Sequence, residues 1–168
     1  MMNQQHIGLL GNGGFPADWR RVKLFDEWLV PVCAPELLGA APWSTQQLAQ
    51  AELIHPSRDC RDWRRWLQRT GRADEVAWQQ GKLFDTLELG ISAAAQGHGV
   101  SIGDLALVGA ELQRGSLVLP FGQAVKSGDS YYLVWPAGDN ESSTLTRMRD
   151  YLLEHLPDVT GQGIELLD

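Results

Sequence analysis

With 168 residues, 43% of them apolar and 21% charged, the chain falls in the range of one compact domain and is neither disordered nor fibrous. Its net charge of −7, from 21 Asp and Glu against 14 Lys and Arg, gives no general attraction to phosphate backbones or anionic membranes. The cysteines Cys33 and Cys60 form no zinc or redox motif, and no stretch has the pattern of a membrane span or signal peptide, so the expectation is a cytoplasmic protein with no metal, no cofactor and neither nucleic acid nor membrane as partner.

The first apolar run, Ile7–Leu10, leads into Gly11-Asn12-Gly13-Gly14. Those letters suggest a phosphate loop, but Phe15-Pro16 stands where a lysine or a helix start is required, and a turn at a strand end is the better account. Trp28–Cys33 is extended and apolar; Pro31 has no N–H to donate, which predicts an edge or crossing strand. Ser44 and Gln47 form a capping box, with Trp43 stapled to Leu48, for a short helix to about Ala51. Leu53–His55 reads as a short buried strand. Asp59 is the expected cap of a helix that turns Trp63, Trp66 and Leu67 inward and most of Arg61, Arg64, Arg65 and Arg69 outward, until Gly71 ends it.

Asp85 and Glu88 suggest a second capping box, opening a helix over Leu87–Ala95 with Leu87, Ile91, Ala94 and Ala95 on one face. Gly97 and Gly99 close it. Val100–Ile102 is then a strand, Asp104 caps a helix to about Gln113, and Leu117–Leu119 is a strand stopped by Pro120. Tyr131–Trp135 is strongly β-prone. The last amphipathic helix carries Leu145, Met148, Leu152 and Leu156 and ends at Pro157, leaving 158–168 as a frayed tail. The alternation of strands and helices predicts an α/β fold with a largely parallel sheet covered on both faces.

No catalytic set converges along the chain. Ser101 sits in Gly99–Gly103, a G-x-S-x-G in letters, yet Val100 and Ile102 make it strand interior, and His155 is the only histidine after it. His6, His55, His98 and His155 match no metal spacing. The arginines of 61–69 are interspersed with Asp59, Asp62, Asp74 and Glu75, which suits a solvated helix face with local ion pairs. These observations predict a protein that is not an enzyme. Asp85 and Thr86 carry two readings. A helix start after a strand presents free N–H groups to a crevice, unless Glu88 satisfies those groups itself.

Four segments together resemble one family: Leu24–Pro35 (LFDEWLVPVCAP), Asp62–Leu67 (DWRRWL), Phe84–Leu89 (FDTLEL) and Gln96–Gly103 (QGHGVSIG). Their order and spacing over residues 7–156 are similar to the effector-binding domain of LysR-type transcriptional regulators, in the branch that resembles glycine-cleavage activators. The resemblance implies a periplasmic-binding-protein-like pair of α/β lobes joined by two crossing strands, here near 28–33 and 131–135, with a small-molecule effector in the cleft. Residues 1–33 and 134–168 would form a partial first lobe, and 34–133 a complete second lobe. The family's winged helix-turn-helix, its linker helix and the opening units of the first lobe have no counterpart in the sequence, so the expectation is a truncated, non-enzymatic domain that senses a small molecule without a DNA-binding element. The site residues that the resemblance implies are Leu10, Gly11 and Asn12 from the first lobe and Phe84, Asp85, Thr86, Gly103 and Asp104 from the second. Asp85 and Glu88 crowd the helix start with negative charge, so an anionic effector would need Arg20, Arg21 or Lys23 nearby. A homodimer or higher oligomer through the incomplete lobe is expected. The alternative is an interaction module that pairs with itself or with full-length regulators and has lost ligand binding.

Overall fold

The computed structural model describes residues 6–10, 17–40, 42–138, 142–160 and 163–168, the first of these as backbone only. The Gly11–Gly14 turn lies outside the described residues. In chain order the elements are β1 (His6–Leu10), β2 (Trp19–Val32), α1 (Pro35–Leu38), α2 (Thr45–Gln50), β3 (Leu53–His55), α3 (Arg61–Arg69), β4 (Lys82–Leu83), α4 (Leu87–Ala95), β5 (Val100–Asp104), α5 (Gly109–Arg114), β6 (Gln123–Pro136), α6 (Ser143–Glu154) and β7 (Glu165–Leu167). They fall into two compact units, 1–27 with 128–158 and 28–127 with 159–168, so the chain passes from one to the other along β2 and returns along β6.

In the first unit β1 runs antiparallel to β6, from His6 opposite Val134 to Leu10 opposite Ser130. A capping serine starts α6: the Ser142 side chain accepts the Leu145 N–H at 3.1 Å. Buried Leu24, Leu133, Trp135 and Leu145 form the core, with Met148 and Leu152 against it at helical spacing. Phe25 stacks on Tyr131 with ring centres 4.6 Å apart.

The second unit has a core on each face of its sheet. β3 pairs in parallel with both β4 and β5, while the end of β2 runs antiparallel to β5. Successive strand residues point to opposite faces. Accordingly Leu29, Leu53, Val100 and Ile102 pack with Trp63, Trp66 and Leu67 of α3, while Val30, Val32 and Ile54 pack with Ala93 and Ala94 of α4 and with Leu105 and Val108. Trp63 and Trp66 are wholly buried and meet edge to face at 5.9 Å. Gly99 has φ +152°, and a Cβ there would strike the Glu52 carbonyl, so only glycine suits this entry into β5.

Several expectations are corrected by the packing. The sheet is mixed, because the strands leading out of and back into the first unit pair antiparallel. Leu117–Leu119 is reduced to a single bridge between Val118 and Cys33. The tail at 158–168 contains β7, which pairs with Gln123–Val125 of β6 while Val159, Ile164 and Leu166 join the α4-side core. The buried face of α4 is Gly90, Ala93 and Ala94, and Ala95 is exposed. Cys60, in a left-handed conformation at φ 57°, takes the N-cap position of α3, and Asp59 instead accepts the Arg61 N–H at 3.2 Å. The capping box of Ser44 and Gln47 is present as expected.

Both cysteines are buried free thiols. Burial pushes the Cys33 thiol up to about 11, and burial together with the neighbouring Asp59 raises Cys60. The thiolate is the reacting form. A disulfide reagent at pH 8 is therefore expected to label neither cysteine in the native chain and both in denaturant; rapid native labelling of either would contradict this packing.

Candidate functional site

Because β3, β4 and β5 are parallel, with β3 between the other two, their carboxyl ends share one edge of the second unit. That edge is where open α/β sheets accept ligands, since helix N-termini and loop side chains converge there. Three loops leave it: 56–60, 84–86 and 105–108.

The loop after β4 is held down at one end. Phe84 donates its N–H to the His55 carbonyl at 2.8 Å and packs half-buried against the α4-side core. Thr86 follows in extended conformation and is the N-cap of α4, its hydroxyl oxygen accepting the Leu89 N–H at 3.2 Å. The cap is therefore Thr86, one residue later than expected, and Glu88 is not its reciprocal partner. The expected box of Asp85 and Glu88 does not form because Asp85 turns to another loop. Its Oδ1 accepts from Arg58 Nε at 2.7 Å. The hydrogen bond from Arg58, and then its charge, hold the Asp85 carboxyl below the usual carboxylate range, so both partners are charged at neutral pH. Their side chains are 80% and 65% exposed, so the pair leaves Arg58 open to exchange with another anion. The Thr86 hydroxyl still has its proton to donate, and the first N–H groups of α4 have no partner within the helix.

Gly103 and Asp104 lie beneath this surface. A Cβ at Gly103 would stand 3.0 Å from Ile91 Cδ1 and 3.2 Å from Val108 Cγ1, so the glycine lets α4 and the 105–108 turn close over β5. Asp104 is fully buried, and its Oδ1 accepts the N–H groups of Trp28 at 3.1 Å and Ala106 at 3.0 Å. The expected helix cap at Asp104 is corrected: α5 begins at Gly109, and the carboxylate instead fixes the β5 exit to β2, helped by the bond from Leu105 N to Trp28 O at 2.8 Å.

The second unit thus brings Phe84, Asp85 and Thr86 to one exposed edge and sets Gly103 and Asp104 as its buried support. Leu10 belongs to the first unit, where its backbone pairs with Ser130; Gly11 and Asn12 lie outside the described residues. Lys23, one of the cations sought for an anionic effector, has its ammonium 2.6 Å from Asp26, and Arg21 lies over the Tyr132 ring at 5.7 Å, both within the first unit. The cation on the edge itself is Arg58, which the sequence reading missed. Its position just past the end of a parallel strand was the available signal. Ser101 is wholly buried, with its hydroxyl bonded to the Ile102 carbonyl, which suits a strand interior rather than a nucleophile.

A model of the LysR substrate binding domain matches residues 2–157. The glycine cleavage system transcriptional activator of Escherichia coli K12 is 32% identical over 145 residues, 85% of this chain and 47% of that protein. The transcriptional activator AmpR of Pseudomonas aeruginosa is 31% identical over 131 residues, 78% of this chain and 43% of that protein. The chain thus spans about half the length of these curated relatives. Among solved structures, the effector domain of Pseudomonas aeruginosa AmpR superposes with a TM-score of 0.71 at 28% identity, covering 88% of this chain and 70% of that one. The Citrobacter freundii AmpR effector binding domain gives 0.72 at 21% identity, over 88% and 72%, a likeness of fold. Relatives are transcriptional regulators, and the mixed α/β sheet matches LysR effector-binding domains, which have the periplasmic-binding-protein-like fold. The chain belongs to the LysR substrate-binding-domain family.

Proposed function

We propose that this chain acts without catalysis, by seating a small-molecule effector on the carboxyl edge of β3, β4 and β5. The observation that carries this reading is the exposed Thr86 at the start of α4, beside an exchangeable Arg58–Asp85 pair. The α4 N-terminus favours negative charge, and Arg58 adds a guanidinium that suits a carboxylate. Phe84 supplies an apolar wall. The parts of Leu10, Gly11 and Asn12 in the site rest on family resemblance alone.

Calorimetry against small acids, amino acids and aromatic compounds tests the proposal. For a confirmed ligand, Thr86→Val is expected to weaken binding by roughly 0.5–1.5 kcal/mol, up to about tenfold. Asp85→Asn is expected to tighten an anionic ligand, because it removes the competing charge from Arg58. Unchanged affinity in both variants would remove this edge as the site.

Two further properties belong to the same proposal. Residues 1–168 do not recognise DNA, a reading supported by the net charge of −7; a sequence-selective complex in a low-salt gel shift would overturn it. The chain self-associates through the first unit, supported by Tyr151 at 60%, Leu153 at 39% and Leu156 at 40% exposure. Light scattering at micromolar concentration is expected to return at least twice the chain mass.

A further inference from the structure

A concavity of about 460 Å³ lies in the second unit, at the edge of the sheet opposite the effector edge, where β3 and β5 begin. Its volume is that of a small-molecule site rather than a packing defect. Leu38, Trp43, Ala51 and Val100 give it apolar walls, and Glu52 and His98 stand among them. The Trp43 wall is held in place from three directions. Its N–H donates to the Pro120 carbonyl at 2.8 Å, its Nε1–H to the Leu38 carbonyl at 2.7 Å, and its ring meets Phe121 edge-on at 6.5 Å. A flat apolar group entering the pocket therefore meets a preformed aromatic surface without first ordering it.

Apart from His98, Glu52 is the only ionisable side chain among the described lining residues. Both α2 and α4 end at it, and neither has a basic residue in its last turn. Helix C-termini carry partial negative charge, but at α4 the Ser92, Ala93 and Ala94 carbonyls already accept from the N–H groups of Gln96, Gly97 and His98. Glu52 adds a full negative charge, and none of the described lining residues is Lys or Arg. Lys82 Nζ occupies the α4 end, 3.2 Å from the His98 carbonyl, which leaves the Glu52 carboxylate as the anion open to a ligand.

We infer that this pocket binds a small amphipathic amine, with its ring against Trp43 and its ammonium toward Glu52. This site is separate from the carboxyl-edge site, and the polarity of its ligand is opposite to the anion that Arg58 favours.

The test uses 2-phenylethylamine and its carboxylate counterpart 3-phenylpropionate, with amide chemical shifts followed on the isotope-labelled chain. At millimolar concentration the amine is expected to shift the amides of Gln47–Glu52 and Gly97–Val100, and the carboxylate is not. Glu52→Gln is expected to weaken the amine about two- to fivefold, as for loss of an exposed ion pair. Gln50→Trp, at an exposed position on the rim, is expected to block it. Thr86→Val is expected to leave it unchanged, which separates this site from the effector edge. The inference fails if the amine shifts no residue of the pocket, if the carboxylate binds equally well, or if Glu52→Gln has no effect. Glu52 is exposed, so that variant remains decisive even if Gln50→Trp misfolds.

Discussion

Replacing Trp66 with alanine is expected to cost about 3–5 kcal/mol of unfolding free energy, the range for truncating a buried aromatic in a packed core. Trp66 has no solvent exposure, meets Trp63 at 5.9 Å and Phe121 at 5.2 Å, and has the Arg72 guanidinium 5.2 Å from its ring centre. Its Nε1–H also reaches the Gln123 carbonyl at 2.9 Å, which ties α3 to the start of β6. The loss removes a large part of a net stability that is roughly 5–15 kcal/mol in a domain of this kind. Urea titration is the measurement. Trp66→Phe loses the hydrogen bond, about 1 kcal/mol from that term, and leaves a smaller cavity than alanine does, so its total cost is expected to fall between zero and that of Trp66→Ala. A cost for Trp66→Ala below that of Trp66→Phe would show that the site collapses around the truncation.

Asp104→Ala is expected to cost roughly 1–3 kcal/mol, the range for leaving buried donors without their acceptor. The buried carboxylate is shared by the N–H groups of Trp28 and Ala106, and alanine leaves both without this acceptor. Trp28 is also the first residue of the second unit. Loosening its link to β5 therefore acts at the point where the chain enters that unit. Asp104→Asn keeps an oxygen in the same place and is expected to cost less. Effector affinity measured alongside thermal unfolding separates the roles: a support residue loses stability first, whereas a direct ligand would lose affinity at unchanged stability.

The carboxyl-edge site was partly legible because some of its signals are local. Phe84-Asp85-Thr86 precedes a helix in sequence, and turn chemistry within four residues suffices to place a helix start there. What could not be read was which residue caps, since Asp85 and Thr86 are both competent. The choice fell to Arg58, 27 positions away, which draws the Asp85 carboxylate to itself and leaves the cap to Thr86. Arg58 was missed for the same reason: its partner is distant in sequence. Aspartate before a helical segment usually caps it, which is the reading that Asp104 invites; its carboxyl oxygen is shared instead between Ala106, two residues on, and Trp28, 76 residues away.

The sequence by itself determined the strand and helix segments with strong periodicity, the inward tryptophans of α3, the Ser44–Gln47 capping box and the glycine closure of α4. Each follows from residues that meet within one or two turns or along one strand, where chemistry and spacing are both visible. Only the tertiary structure decided the mixed direction of the sheet, the pairing of β7 with β6 in place of a loose tail, and the reduction of Leu117–Leu119 to one bridge. A short strand has little preference of its own and exists only where a neighbouring edge offers unpaired N–H and C=O groups. Gln123–Val125 offered that edge to 165–167, more than forty residues on, while the bridge to Cys33 offered 117–119 a single position.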